Sequence, residues 1–204
     1  MKVKHLVGAF LCVLGCYACS SPKTEVQSPD GHIKMTLTVD ENGKPFYNVS
    51  VDDSLLIENS AMGFTAANGI ILGEGFQVKN TTFSSEDETW TQPWGENKKN
   101  RNHYNEMAVN LTNEDHVQLT LRFRVFDDGI GFRYEYTVPT VDSLLITDEL
   151  TTFRFHRDGT SWSIPASAET YELLYQQQPI SEVETANTPF TFKTADGVYG
   201  SIHE

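Results

Sequence analysis

Past residue 19, the 204-residue chain contains no cysteine. Cys12, Cys16 and Cys19 all lie in the first nineteen residues, so the remainder has no internal disulfide, no thiol nucleophile and no cysteine-based zinc site. Basic residues are also scarce: 15 Lys and Arg stand against 28 Asp and Glu, a formal charge of −13. A surface that acidic repels phosphate backbones, which argues against nucleic acid as a partner. It suits neutral ligands such as sugars, or a bound cation. No stretch of about twelve residues carries a convincing helical period. The nearest approach, 169–178, runs into Pro179. There is no internal repeat, no low-complexity tract, and no nucleophile elbow, P-loop, HExxH or GxGxxG motif. Hydrophobic residues make up 39% of the chain, enough for the core of one domain or two small ones without disulfide staples.

The one long apolar run is N-terminal and too short to span a bilayer as a helix. Residues 1–19 place Lys2 and Lys4 before an apolar stretch at 6–15, the pattern of a secretory signal. Val13-Leu14-Gly15-Cys16 resembles a bacterial lipobox, which would make Cys16 the acylated residue. Cys19, followed by Ser20-Ser21-Pro22, is the other lipidation candidate, and simple cleavage near Ala18 is the reading without a lipid. The expectation is an exported protein, in the periplasm or anchored to the outer membrane of a Gram-negative bacterium. Residues 20–27, polar and Pro-containing, read as a tether, and the folded domain is expected over 28–204.

Beyond that point the dominant period is two. Residues 33–39 alternate apolar with polar, Asn42-Gly43 marks a hairpin turn, and 46–51 alternate again. Further strands are predicted over 55–57, 75–78, 105–111, 117–126, 131–138, 144–149, 151–156, 190–194 and 198–202. Asp127-Asp128-Gly129 and Ala195-Asp196-Gly197 are tight-turn sequences, and His32 and His116 read as turn residues. Many short strands without helical crossovers predict an all-β, antiparallel sandwich or barrel.

The longest stretch without alternation, 84–101, reads as a loop. It and the residues after it hold Trp90, Trp94, Glu96, Arg101, His103 and Asn105, including two of the three tryptophans. Aromatic faces and planar polar groups are what carbohydrate recognition requires, and Trp with Arg is also the profile of an interface anchor. Three readings follow: Trp90 and Trp94 pin a loop to the sandwich, they contact another domain, or they contact a ligand. His203-Glu204 pairs an imidazole with a carboxylate, but one Glu cannot make a calcium site, which takes six to eight oxygens. His156-Arg157-Asp158 copies a kinase tripeptide without any other kinase feature and reads as a strand end before a turn. The sequons headed by Asn48, Asn80 and Asn110 read as chance occurrences in a bacterial-type chain.

An ordered set of these segments resembles the N-terminal domain of glycoside hydrolase family 97. Ser28-Pro29-Asp30-Gly31, Glu88-Thr89-Trp90, Pro93-Trp94-Gly95-Glu96 and Arg101-Asn102-His103-Tyr104-Asn105-Glu106 carry the likeness. So do the run from Arg122 to Tyr134 and the terminal Asp196-Gly197-Val198-Tyr199-Gly200-Ser201-Ile202-His203-Glu204, so that it spans about 26–204. The resemblance implies a galactose-mutarotase-like β-super-sandwich. In such enzymes this domain precedes a (β/α)8 barrel and a small C-terminal β domain. It further implies an exo-acting α-glucosidase or α-galactosidase whose catalytic carboxylates lie on the barrel. The resemblance also implies a calcium ion beside that active site, with Glu204 in the position of one ligand. No barrel is present in these 204 residues, so no catalytic residue is assigned, and the chain alone is expected to be inactive.

The first functional expectation is therefore an accessory domain that packs on the barrel and the C-terminal β domain of an enzyme acting on α-linked oligosaccharides. A stand-alone carbohydrate-binding sandwich with Trp90, Trp94 and Arg101 as its platform is the second. An aldose epimerase using His103, His156 and Glu106 as acid and base is the third.

Overall fold

The computed structural model describes residues 24–67 and 70–203. Cys16, Cys19 and Glu204 lie outside the described residues. Within them the chain is all-β: fourteen strands in antiparallel sheets, a 3-10 turn at Ile180–Glu182 and no α-helix.

Four strands form the first sheet in the order β1 (Glu25–Gln27), β2 (Ile33–Val39), β3 (Pro45–Val51), β4 (Ser54–Ala61). After the short β5 (Phe64–Ala66) come β6 (Gln77–Thr91), β7 (Lys99–Thr112), β8 (Gln118–Phe126) and β9 (Gly129–Thr137), which form the second sheet in that order. β10 (Ile146–Glu149) pairs with β5. A third sheet has the order β12-β11-β13-β14, from β11 (Gly159–Ser163), β12 (Gln176–Pro179), β13 (Phe190–Thr194) and β14 (Tyr199–Ile202).

Period-two patterning explains the packing of the first two sheets. On β8, Leu119, Leu121, Phe123 and Val125 are buried, whereas Thr120, Arg122 and Arg124 point to the opposite face. On β2 and β3, Met35, Leu37, Tyr47 and Val49 are buried, and these join Met107, Val109 and Leu111 of β7 in one core. Each such side chain, taken fully out of water, contributes roughly 1.5–3 kcal/mol. The β2–β3 turn is tied down locally: the Asp40 carboxylate accepts the amides of Asn42 and Lys44 at 2.9 and 2.8 Å. Gly43 there has φ +74°, and a Cβ would sit 2.3 Å from the Phe76 amide nitrogen, so only glycine lets this turn close on residues 75–76.

The strands expected at 33–39, 46–51, 117–126, 131–138, 144–149, 190–194 and 198–202 are present with small boundary shifts. Four expectations are corrected. Residues 84–101 are not a loop but the distal half of the β6–β7 hairpin, closed by a turn at 92–98. Both faces of that ribbon meet water, so it has no apolar alternation to read. The strand expected at 75–78 is the start of the fifteen-residue β6. Residues 151–156 run as a strap along β4, with a single bridge between Ile57 and Phe155. Side-chain hydroxyls interrupt the ladder there: Thr152 Oγ1 accepts the Ala61 amide and Ser60 Oγ accepts the Arg154 amide, each at 2.8 Å. The end of the expected tether belongs to the fold, because residues 25–27 form β1 with Val26 buried.

Near the end of the strap, Phe155 meets the Phe192 ring edge-on at 4.7 Å and joins the third sheet to the rest. Strands β5, β11 and β12 were not anticipated. β11 places Ser161 and Ser163 inward, both buried, and Ser161 Oγ donates to the Gln178 carbonyl at 3.0 Å. A buried serine face gives no hydrophobic signal.

Candidate functional site

The candidate residues are placed by register along β6 and β7. Tyr104 is the last residue of β7 that β8 pairs, opposite Phe126. Beyond it, β6 and β7 continue alone as a two-stranded ribbon to the Gln92–Lys98 turn, where the Gln92 amide donates to the Lys98 carbonyl at 2.9 Å. Five residues from Asp87 to Thr91, opposite Lys99 to His103, make this free part, reaching roughly 16 Å at about 3.3 Å each.

Because side chains alternate, the ribbon divides the candidates. Met107, Val109 and Leu111 face the core, so Arg101, His103 and Asn105 continue that face outward. Trp90, opposite Asn100, lies on the other face with Asn102 and Tyr104. Trp94 and Glu96 belong to the turn, and Trp94 is 84% exposed, Trp90 46%. Neither tryptophan pins the hairpin onto the sandwich, which removes that reading.

On the inner face, Arg101 grips Asp87 bidentately, Nε and Nη2 each 2.7 Å from a carboxylate oxygen. This pairing holds the Asp87 carboxyl below its usual range. Glu88, on the outer face, accepts a bond from Asn102 at 3.0 Å. His103 Nδ1 lies 3.5 Å from Asp127 Oδ2, an ion-pair distance. Asp127 Oδ1 accepts the Asp30 amide at 2.9 Å, and Asn105 donates to the Gln27 carbonyl at 2.9 Å. Arg101 and Asn105 are therefore fixed by hydrogen bonds within the chain, and His103 lies beside Asp127 with its Nδ1 buried and making no hydrogen bond, whereas Trp90, Trp94 and Glu96 point into solvent.

A second cluster, on the outer face of the second sheet, was not singled out from the sequence. Glu106, only 8% exposed, accepts Arg122 Nη1 at 2.5 Å and Arg124 Nε at 2.8 Å. Arg122 also forks onto Glu135, which Arg133 shares at 2.8 Å. Arg124 lies 4.4 Å from the centroid of the Tyr104 ring. Burial pushes the Glu106 carboxyl up, but Arg124 and Arg122 outweigh it and hold the acid below its ordinary range. Hydrogen bonding from Arg122 brings Glu135 down to about 2. The available signal was the alternation of Arg122 with Arg124 on one strand and of Arg133 with Glu135 on the next.

The epimerase constellation is not assembled. His103 and Glu106 project from opposite faces of β7, and His156 sits on the strap, its Nδ1 2.7 Å from Glu58 Oε2. Among the described residues, no group of three or more His, Cys, Asp or Glu is arranged to hold a metal ion.

The fold and these segments match a known family. The glycosyl-hydrolase 97 N-terminal domain profile covers residues 26–204. The chain belongs to glycoside hydrolase family 97. Solved structures of a family 97 enzyme from Pseudoalteromonas sp. strain K8, in complex with panose and with acarbose, superpose with a TM-score of 0.80 at 38% identity. They cover 88% of this chain and 28% of the enzyme. A retaining alpha-galactosidase of Bacteroides thetaiotaomicron is 29% identical over 133 residues, which is 65% of this chain and 19% of that protein. A beta-arabinopyranosidase at 24% identity shares the fold, with a TM-score of 0.73. The chain thus spans less than a third of the length of these relatives, and the profile it matches is that of the family 97 N-terminal domain.

Proposed function

We propose that this chain acts as the non-catalytic N-terminal domain of an exo-acting α-glycosidase, packed against the (β/α)8 catalytic barrel and C-terminal β domain of a longer enzyme. The observation that carries this reading is the match of residues 26–204 to the family's N-terminal domain alone, over 28% of the length of a family 97 enzyme. The free end of the β6–β7 ribbon supports it. A two-stranded arm with Trp90 and Trp94 unburied at its tip has the composition of an interface anchor rather than of a solvated turn. Its substrates would be α-linked oligosaccharides, consistent with the panose complex of the Pseudoalteromonas enzyme. An N-terminal lipid at Cys16 or Cys19 would hold the enzyme at the periplasmic side of a membrane, since a multiply acylated anchor binds firmly.

Glu204 is proposed as one oxygen donor to a calcium ion. The described residues offer no complete site, and calcium takes six to eight oxygens, so the remaining donors would come from other parts of the enzyme. When bound, the ion supplies fixed positive charge near the reacting groups. This chain's own part in the reaction is to shape and shield one side of the substrate pocket.

The test compares the 204-residue chain with the product of the complete open reading frame that carries it. p-Nitrophenyl α-glucoside and α-galactoside serve as substrates. Hydrolysis is expected from the longer product and a blank rate from the chain alone. Release of nitrophenol by the chain alone, or an open reading frame that ends without a further domain, overturns the proposal.

A further inference from the structure

Sugar recognition needs an aromatic face and hydrogen-bonding groups lining the same concavity. Trp94 stands at a turn and Trp90 on the outer face of the ribbon, and neither lines the cleft formed by residues 25–31 and 83–85. Phe83 does. It is 51% exposed on β6, opposite the fully buried Met107, and it lines a cleft of about 720 Å³, within the usual 300–1,000 Å³ of small-molecule sites. The cleft lies at the open edge of the sandwich, because β1 is an edge strand of the first sheet and β6 of the second.

Residues 25–31 form one wall and residues 83–85 the other. Asn105 ties them together through its 2.9 Å bond to the Gln27 carbonyl. The first wall is preorganised: Ser28 Oγ donates to Asp30 Oδ1 at 2.5 Å and accepts the Ile33 amide at 3.0 Å. Ser85 lies on the same strand face as Phe83, and Glu25 adds a carboxylate acceptor. No Lys or Arg lines the cleft, so nothing there would pair an anionic ligand, and the net charge of −13 opposes one. The polar lining disfavours a purely apolar ligand.

We propose that the cleft between β1 and β6 is a non-catalytic binding site for neutral, hydroxyl-rich oligosaccharides, with Phe83 as the stacking platform. Such a site would hold a glycan on the domain itself, and it does not depend on the chain docking to a barrel.

The test titrates the isotopically labelled 204-residue chain with panose and, separately, with spermidine, following backbone amide shifts. Saturable panose shifts at Ser84, Ser85 and Asn105 are expected, with no matching response to spermidine. Phe83→Ala should weaken binding at least about tenfold, Phe83→Trp should retain it, and Tyr199→Ala, at an exposed aromatic on β14, should leave it unchanged. Ser85→Arg, which narrows the mouth without touching the core, should abolish the shifts even if Phe83→Ala folds poorly. Absence of saturable panose shifts, shifts that survive both Phe83→Ala and Ser85→Arg, or the same shifts with spermidine alone would each refute the site.

Discussion

Strand β7 is one continuous element with two unlike halves. From Tyr104 to Thr112 it is the centre of a four-stranded sheet, paired on both sides and packed through Met107, Val109 and Leu111 into the core. From Lys99 to His103 the same strand, in the same register with β6, is paired on one side and wet on both faces. Backbone pairing is therefore uniform along the strand while burial is not. The inner half is held by packing, whereas the outer half relies on cross-strand polar pairs such as Asp87 with Arg101 and Glu88 with Asn102.

The largest effects are expected from the packed region. Leu121, fully buried opposite Val109, should cost about 2–5 kcal/mol when cut to alanine, seen as a fall in the urea midpoint. A loss below 1 kcal/mol would mean that the two sheets are held by something other than this core. Next comes Glu106→Ala, which removes the acceptor shared by Arg122 and Arg124 on the outer face. A loss of about 1–3 kcal/mol is expected, with Glu106→Gln intermediate. Equal effects of the two substitutions would show that the charge is immaterial there.

The same contrast explains what the sequence discloses. β2, β3, β8 and β13 could be read because one face is apolar and buried and the other is not, so alternation marks every residue. The outer ribbon could not, since a strand wet on both faces carries no such signal, and Trp90 falls among polar neighbours. β11 was hidden for the opposite reason, with serines filling its buried positions. At the candidate site, the residue types were apparent, but their separation onto two faces was not. That division follows from a register set by packing further along the strand, at Met107 to Leu111. The Glu106 network was legible only in part: the alternation of Arg122 with Arg124 was visible, but nothing local in the sequence identifies Glu106 as the buried acid they share.

A smaller effect is expected on acidification. The folded chain holds Glu135 at about 2 against an ordinary 4.5, with Arg122 as the main cause. A carboxylate depressed in the folded state binds fewer protons there than when unfolded. Its contribution is thus complete above about pH 4.5 and lost as the pH falls toward 2. Glu106 shifts in the same direction. Both arginines and Glu135 are partly solvated, so Glu135 should account for on the order of 1 kcal/mol or less. Urea midpoints measured from pH 6 down to 2.5 should decline, and Glu135→Gln should flatten part of that decline. An unchanged slope in the variant would assign the acid sensitivity to other carboxylates.

The smallest effect in the chain itself is expected at the ribbon tip, where the two halves of the hairpin differ most. Trp94 is almost wholly exposed and closes no core, so Trp94→Ala should leave the urea midpoint of the 204-residue chain within about 0.5 kcal/mol. If the arm is an interface anchor, the same substitution in the longer enzyme should behave differently. A tryptophan buried at a domain contact can be worth 2 kcal/mol or more, and its loss would free the arm to proteases and lower the enzyme's melting temperature. The informative quantity is the difference between the two backgrounds. A substitution silent in both would return Trp94 to the class of solvated turn residues and leave the ribbon without a docking role.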